Sequence, residues 1–185
     1  MRARLSEACA VYGSLGEDFL RAVGEAAVWA EEALRSDGAV FLLGNGGSAA
    51  DAQHWAAELV GRYADEREPL NVHALTTNSS TITALVNDYP PNEVFERQVR
   101  AHVKKGDLVI AISASGKSEN ILRAVSAAQI CGARVFGVTG NTGGTLAASC
   151  DGSFVSPATE TPRVQETHLL FGHCWCELVE RSFAD

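Results

Sequence analysis

The sequence predicts an α/β protein built on a single doubly wound, mainly parallel five-stranded sheet flanked by helices. Three observations carry that expectation. Short β-rich runs alternate with helical stretches through most of the chain, the pattern of parallel strands joined by crossover helices. The loops richest in Gly, Ser and Asn follow directly after such runs, where open α/β sheets bind their ligands. The length, 185 residues, fits one domain whose core is large enough to fold without disulfides or a structural metal.

Over residues 2–36 polar and apolar residues recur at helical spacing, with Phe19, Val23, Ala26, Ala27, Ala30 and Leu34 on a common side and a break marked by Gly13 and Gly16. Strands are expected over 39–43, 71–75, 107–113, 134–139 and 153–155. Between them helices are expected over 48–63, 79–86, 92–103, 118–131 and 142–148. A last helix opens near Pro162, whose fixed φ suits a first turn, and runs to Phe183. No linker, tandem repeat or low-complexity segment interrupts the pattern, so the chain reads as one domain over 1–185, with a helical segment over 1–37 and an α/β core with a C-terminal helix over 38–185.

Charge narrows the choice of partners. With 23 acidic against 15 basic residues, a net charge of −8, a broad positive surface for a polyanion is missing and nucleic acid is not expected. Cys9, Cys131, Cys150, Cys174 and Cys176 form an odd set without a C-x-x-C pair, and are expected to be reduced, mostly buried thiols. Glu7, Glu17 and Asp18 interrupt any signal-peptide-like run, and no apolar stretch reaches the ~18 residues of a membrane span, so a cytoplasmic protein is expected.

Two loops suit phosphate. The first strand runs into Gly44-Asn45-Gly46-Gly47-Ser48, where glycines permit close backbone approach and the next helix offers free N–H groups to an anion. Gly44, Gly46 and Ala49 fit the dinucleotide pattern G-x-G-x-x-A, but the second strand ends in Thr76-Thr77-Asn78 with no acidic residue for a ribose. A tight turn without a ligand is the alternative for this loop. The third strand delivers Ser113-Ala114-Ser115-Gly116-Lys117-Ser118 into a helix, and hydroxyls at a helix N-terminus suit a phosphate monoester, with Lys117 adding charge. A nucleoside-triphosphate loop is rejected, because its first glycine would fall at Ala111. Serines that only cap the helix are the plainer alternative.

In the helix after the first loop, His54 and Glu58 lie four residues apart and project from one face. That spacing suits two ligands of one metal ion, or a base and the group that orients it, and it is also the spacing of a solvated helix pair. The last helix carries Gln165, Glu166, His168 and His173 among apolar residues, and polar groups buried there need partners. Gln165 and His168 share a face, whereas His173 lies about 12 Å further along a regular helix, which leaves room for a site completed by a neighbouring subunit. Cys176, three residues after His173, offers either a His/Cys metal pair or plain packing. Asn87-Asp88, before Tyr89-Pro90-Pro91, either reaches the site or makes the turn.

With Gly44-Asn45-Gly46-Gly47-Ser48, His54-x-x-x-Glu58, Asn87-Asp88, Ser113-x-Ser115-Gly116-x-Ser118 and Gln165-Glu166-x-His168 followed by His173, the chain resembles sugar isomerase (SIS) domains, and among them phosphoheptose isomerases, over about 39–183. The resemblance implies a flavodoxin-like SIS fold whose N-terminal helix serves oligomerisation. It implies an aldose–ketose isomerase that converts D-sedoheptulose 7-phosphate to D-glycero-D-manno-heptose 7-phosphate through an enediol, a first step toward activated heptose. A homotetramer with sites near subunit interfaces is implied as well, with one zinc per subunit held by His54, Glu58, Gln165 and His173. By position, Asn45, Gly46, Gly47, Ser48, Glu58, Asn87, Asp88, Ser113, Ala114, Ser115, Ser118 and Gln165 would contact substrate. Glu58 matches the base of the family and His173 its acid/base partner. Ala114 stands where threonine is common, Lys117 where asparagine is frequent, and Pro162 where a polar residue often precedes the last helix; these departures bear on substrate fit. The competing expectation is a noncatalytic regulatory protein of the same fold that binds a sugar phosphate or a replication initiator, in which the counterparts of Glu58 and His173 are not acid/base residues.

Overall fold

The computed structural model describes residues 1–184. Five parallel strands, β1 (Val40–Gly44), β2 (Val72–Ala74), β3 (Leu108–Ser113), β4 (Arg134–Thr139) and β5 (Gly152–Val155), form one sheet in the order β2-β1-β3-β4-β5. The chain steps outward from β1 to β2 and then crosses back to β3, so the strand order switches between β1 and β3, the position at which open α/β sheets form their ligand crevice. These two strands pair from Val40 with Leu108 to Gly44 with Ile112 and end side by side. Both loops marked for phosphate therefore flank one crevice.

Helices cover both faces. Val40, Leu42, Leu108, Ile110, Ile112, Phe136 and Val138 point to α2 (Glu17–Arg35), α3 (Gly47–Val60) and α8 (Thr161–Phe183). Phe41, Leu43, Val109, Ala111 and Val135 point to the opposite side and meet α5 (Val94–His102), α6 (Glu119–Ile130) and α7 (Gly144–Ser149). Burial on both faces explains why every residue of β1 and β3 is apolar or small and buried. In α2 the buried residues Phe19, Ala22, Val23, Ala26, Ala27, Ala30 and Ala33 recur at helical spacing. Their small side chains let α8 approach, and Trp175 Nε1 donates to the carbonyl of Ala26 at 3.2 Å. α1 (Arg2–Gly13) buries no residue; it lies along the start of α8, where Arg4 pairs with Glu160 at 2.7 Å.

α3 and α8 run side by side in the same direction. Gly172 faces Trp55 so closely that a Cβ there would overlap the indole ring. This contact sets the distance between the helix that carries His54 and Glu58 and the helix that carries His173.

Several boundaries differ from the sequence expectation for physical reasons. Ala39 stays outside β1 because its N–H donates to the Asp107 carboxylate at 2.9 Å. The helix expected from residue 92 begins as a 3-10 turn, Pro91–Glu93, before α5. α3 stops at Val60 rather than 63, since the N–H groups of Tyr63, Ala64 and Asp65 bond to the Glu180 carboxylate instead of to helical carbonyls. The break at Gly13 and Gly16 separates α1 from α2. All five cysteines are free, but only Cys176 is buried; Cys9 is exposed on α1, and Cys131, Cys150 and Cys174 are half-buried, so the expectation of mostly buried thiols does not hold. Among the described residues no helix is long and apolar enough to cross a membrane.

Candidate active site

The first wall of the crevice is the β1–α3 loop. A Cβ on Gly44 would stand 2.6 Å from the Ser48 carbonyl oxygen, and Gly46 has φ +55°, a left-handed conformation that glycine adopts without strain. The N-terminus of α3 is thereby turned to the crevice, with Ser48 buried in its first turn. Gln165, at the start of α8, reaches over this loop: a Cβ on Gly47 would overlap its amide nitrogen, so glycine at 47 makes room for that side chain.

The second wall is the turn after β3. Ser113 Oγ and Ser118 Oγ lie 3.1 Å apart, and the Lys117 N–H donates to Ser115 Oγ at 3.2 Å. Three hydroxyls thus gather at the N-terminus of α6, with Ala114 contributing only backbone. Gly116 has φ +63° and packs on the Gly143 carbonyl, while the Leu146 N–H donates to the Gly116 carbonyl at 2.9 Å. A reciprocal amide pair ties the two walls: Asn45 Nδ2 donates to Asn120 Oδ1 and Asn120 Nδ2 to Asn45 Oδ1, both at 2.9 Å.

Further along α3 a second group assembles. His54 Nε2 donates to Glu58 Oε1 at 3.0 Å, both side chains half-buried. The ring of His173 stands edge-on to that of His54 with centroids 5.1 Å apart, and Tyr63 lies 6.1 Å from His173. One chain therefore brings Glu58, His54 and His173 together, while Gln165 sits at the Gly47 end of the same two helices. Among the described residues no group of three or more His, Cys, Asp and Glu is disposed to hold a metal ion. Two imidazoles and a carboxylate are nonetheless donors that zinc accepts.

Asn87 and Asp88 end α4 (Ser79–Asp88), exposed and bonded to each other at 2.8 Å. The turn that follows touches α6, where Asn92 Nδ2 donates to Glu119 Oε1 at 2.7 Å. His168 is fully buried. Its Nε2 donates to the Thr139 carbonyl at 3.0 Å and its Nδ1 has no partner. Burial pushes its pKa down to about 4 against the opposing effect of that bond, so it is a neutral anchor of α8 on the end of β4. Cys176 is packed against the Trp55 carbonyl, and burial pushes its thiol up, which leaves the packing reading.

Sequence reasoning passed over Asp51. It precedes His54 by three residues and Glu58 by seven, so all three share one face of α3, a spacing that was open to inspection. Its Oδ2 is buried without a partner; burial pushes the carboxyl up to about 6, with His54 pulling it back. Asn120 was missed because nothing local distinguishes it from a surface residue of α6.

A SIS-domain family model matches residues 8–140. A phosphoheptose isomerase of Rhodospirillum rubrum is 51% identical over 163 residues, 88% of this chain and 87% of that protein. The chain belongs to the phosphoheptose isomerase family of SIS-domain proteins. Among solved structures, phosphoheptose isomerase from Neisseria gonorrhoeae superposes with a TM-score of 0.92 at 38% identity, covering 97% of this chain and 96% of that one. A phosphoheptose isomerase from Francisella tularensis gives 0.94 at 32% identity with the same coverage. The phosphoheptose isomerase likeness thus runs from α1 to α8 and includes both walls of the crevice.

Proposed function

We propose that the crevice between β1 and β3 is the active site of a phosphoheptose isomerase and that Glu58 and His173 do its proton chemistry. The reaction converts D-sedoheptulose 7-phosphate to D-glycero-D-manno-heptose 7-phosphate, an aldose–ketose exchange. The observation that carries the residue assignment is the meeting of Glu58 and His173 around His54 on two helices that both begin at the crevice.

Moving a carbonyl from C2 to C1 needs one proton carried between carbons and another between oxygens, through an enediol. The Glu58 carboxylate takes the proton from C1 and returns it to C2. The His173 imidazole protonates O2 as the enediol forms and accepts the O1 proton as the aldehyde appears. His54, bonded to Glu58, orients the carboxylate. The phosphate is seated on the hydroxyls of Ser113, Ser115 and Ser118 and on N–H groups from Ala114 to the start of α6. Asn45, Gly46, Gly47, Ser48, Gln165, Asn87 and Asp88 face the sugar.

His54, Glu58 and His173 fit zinc by donor type, and Gln165 is the fourth donor implied by the resemblance, with one ion per subunit. Bound there, zinc would polarise the sugar carbonyl and stabilise the developing oxyanion. The same reading holds the chain to be a single SIS domain over 1–185 that forms a homotetramer in the cytoplasm. Support for oligomerisation comes from α1 and α4, neither of which buries a residue within the chain, and from exposed Leu5 and Leu20. Five free cysteines suit a reducing compartment.

The test is turnover. Purified protein is incubated with sedoheptulose 7-phosphate and aldose formation is followed, with Glu58→Gln and His173→Ala as folded controls expected to lose about 10²- to 10⁴-fold in kcat. Chelation should lower activity, and added zinc should restore it. A wild type without turnover would leave only a sugar-phosphate-binding module.

A further inference from the structure

We infer that Arg67 and Glu180 form a buried clamp that positions Glu58 and His173 relative to each other; this rests on the roles proposed above for those two residues. The Arg67 and Glu180 side chains are 1% and 2% exposed. Two charges at that depth are costly unless their polar atoms find partners.

Among the described residues Arg67 Nε has no partner, and the partners of the other polar atoms are nearly all main chain. Glu180 accepts from the N–H groups of Tyr63 at 2.7 Å, Ala64 at 2.6 Å and Asp65 at 2.9 Å, and lies 3.5 Å from Arg67 Nη2. Burial would raise its pKa, yet the three N–H bonds and Arg67 outweigh that and hold it below the usual carboxylate value. Arg67 Nη1 donates to the carbonyls of Gly61 at 3.1 Å and Glu68 at 3.0 Å, and Nη2 donates to the carbonyl of Glu58 at 3.0 Å. The segment that leaves α3 is thereby wrapped around the guanidinium. An apolar pair could fill the same volume but could not hold these six main-chain groups.

Each end of the clamp touches an acid/base residue. One end grips the backbone of Glu58 itself, in the last turns of α3. The other stands on α8, where Glu180 follows His173 by seven residues and so shares its side of the helix. Tyr63, whose N–H is held by Glu180, presents its ring 6.1 Å from His173. Arg67 and Glu180 are positioning residues, remote from the phosphate turn on the far wall.

The experiment compares Arg67→Lys, which keeps the charge but loses the planar fork, and Glu180→Gln, which keeps the shape but loses the charge, with the wild-type enzyme. Steady-state kcat and KM for sedoheptulose 7-phosphate are measured well below each variant's Tm, per folded protein. A fall in kcat of about tenfold or more with KM within about twofold is expected, since a misplacement of a fraction of an ångström acts on the chemical step rather than on phosphate binding. Variants with lower Tm but wild-type kcat would show a purely structural pair and overturn the inference. Should both variants fail to fold, half-buried Tyr63 carries the test: Tyr63→Ala should lower kcat with KM held, and wild-type kcat in Tyr63→Ala refutes the clamp's hold on His173. A wild type inactive in the same assay would instead refute the isomerase reading.

Discussion

Replacing Gly172 with alanine should push apart the two helices that carry the proposed acid/base pair. A Cβ there would overlap Cε2 and Nε1 of Trp55, a ring with no accessible surface. That ring lies 6.1 Å by centroid from both Phe171 and Trp175, so it cannot swing aside without moving two further aromatic side chains. Overpacking of a filled core costs about 1–3 kcal/mol, and the rigidity of this neighbourhood points to the upper end. Alanine regains about 1 kcal/mol of helix propensity over glycine, which leaves a net loss of about 2 kcal/mol. For a chain of 185 residues that is a fall in Tm of about 4–8 °C. His173 is the next residue, and its displacement should lower kcat about tenfold. Thermal melts followed by circular dichroism and isomerase turnover measure both effects. An unchanged or higher Tm, the result that propensity alone would give, refutes the close-packing account of this helix pair.

Two other outcomes follow from the site's electrostatics and hydrogen bonds. His168 titrates near 4 when folded against 6.5 ordinarily. The unfolded chain therefore binds the extra proton between those values, and stability that is fully present above pH 6.5 falls by about 3 kcal/mol as pH drops through 4. Denaturant melts at pH 7 and pH 4 should show this loss in the wild type and a smaller one in His168→Gln. Ser118→Ala removes one hydroxyl from the proposed phosphate turn, and a hydrogen bond to a charged group of about 1.5–3 kcal/mol converts to a KM raised about tenfold to a hundredfold, with kcat changed far less. Steady-state kinetics checks it, and an unaltered KM would place the phosphate elsewhere.

The elements that hold the sheet together were legible because their signals are local. β4 spans the six residues expected of it, and β3 starts one residue late only because Asp107 caps the approach to it. The serine turn after β3 was legible too, since hydroxyls and glycine before a helix are read without knowing what lies opposite, and its hold on phosphate is part of the proposed function. His54 and Glu58 announce themselves by spacing. What stayed hidden depends on encounters between distant segments. Arg67 and Glu180 look like surface charges in the sequence, and only the return of α8 past the end of α3 buries them against each other. Gly172 likewise reads as a weak point in a helix until Trp55 occupies the space it leaves. The closeness of His173 to His54 is of the same kind, a product of that crossing.

The seat of the serine turn against the loop after β4 bears on how such a chain can diversify. Gly116 abuts the Gly143 carbonyl, and a Cβ on Gly144 would stand 2.6 Å from the Gly116 carbonyl oxygen. All three glycines also have positive φ, at +63°, +81° and +58°, so each resists enlargement by backbone conformation as well as by its neighbours. Drift at the proposed anion end is thus arrested from two directions, whereas the free tip of α4 at Asn87 and Asp88 meets no such resistance. New sugar preferences would be acquired at that yielding rim, above a proposed phosphoryl grip that stays as it is.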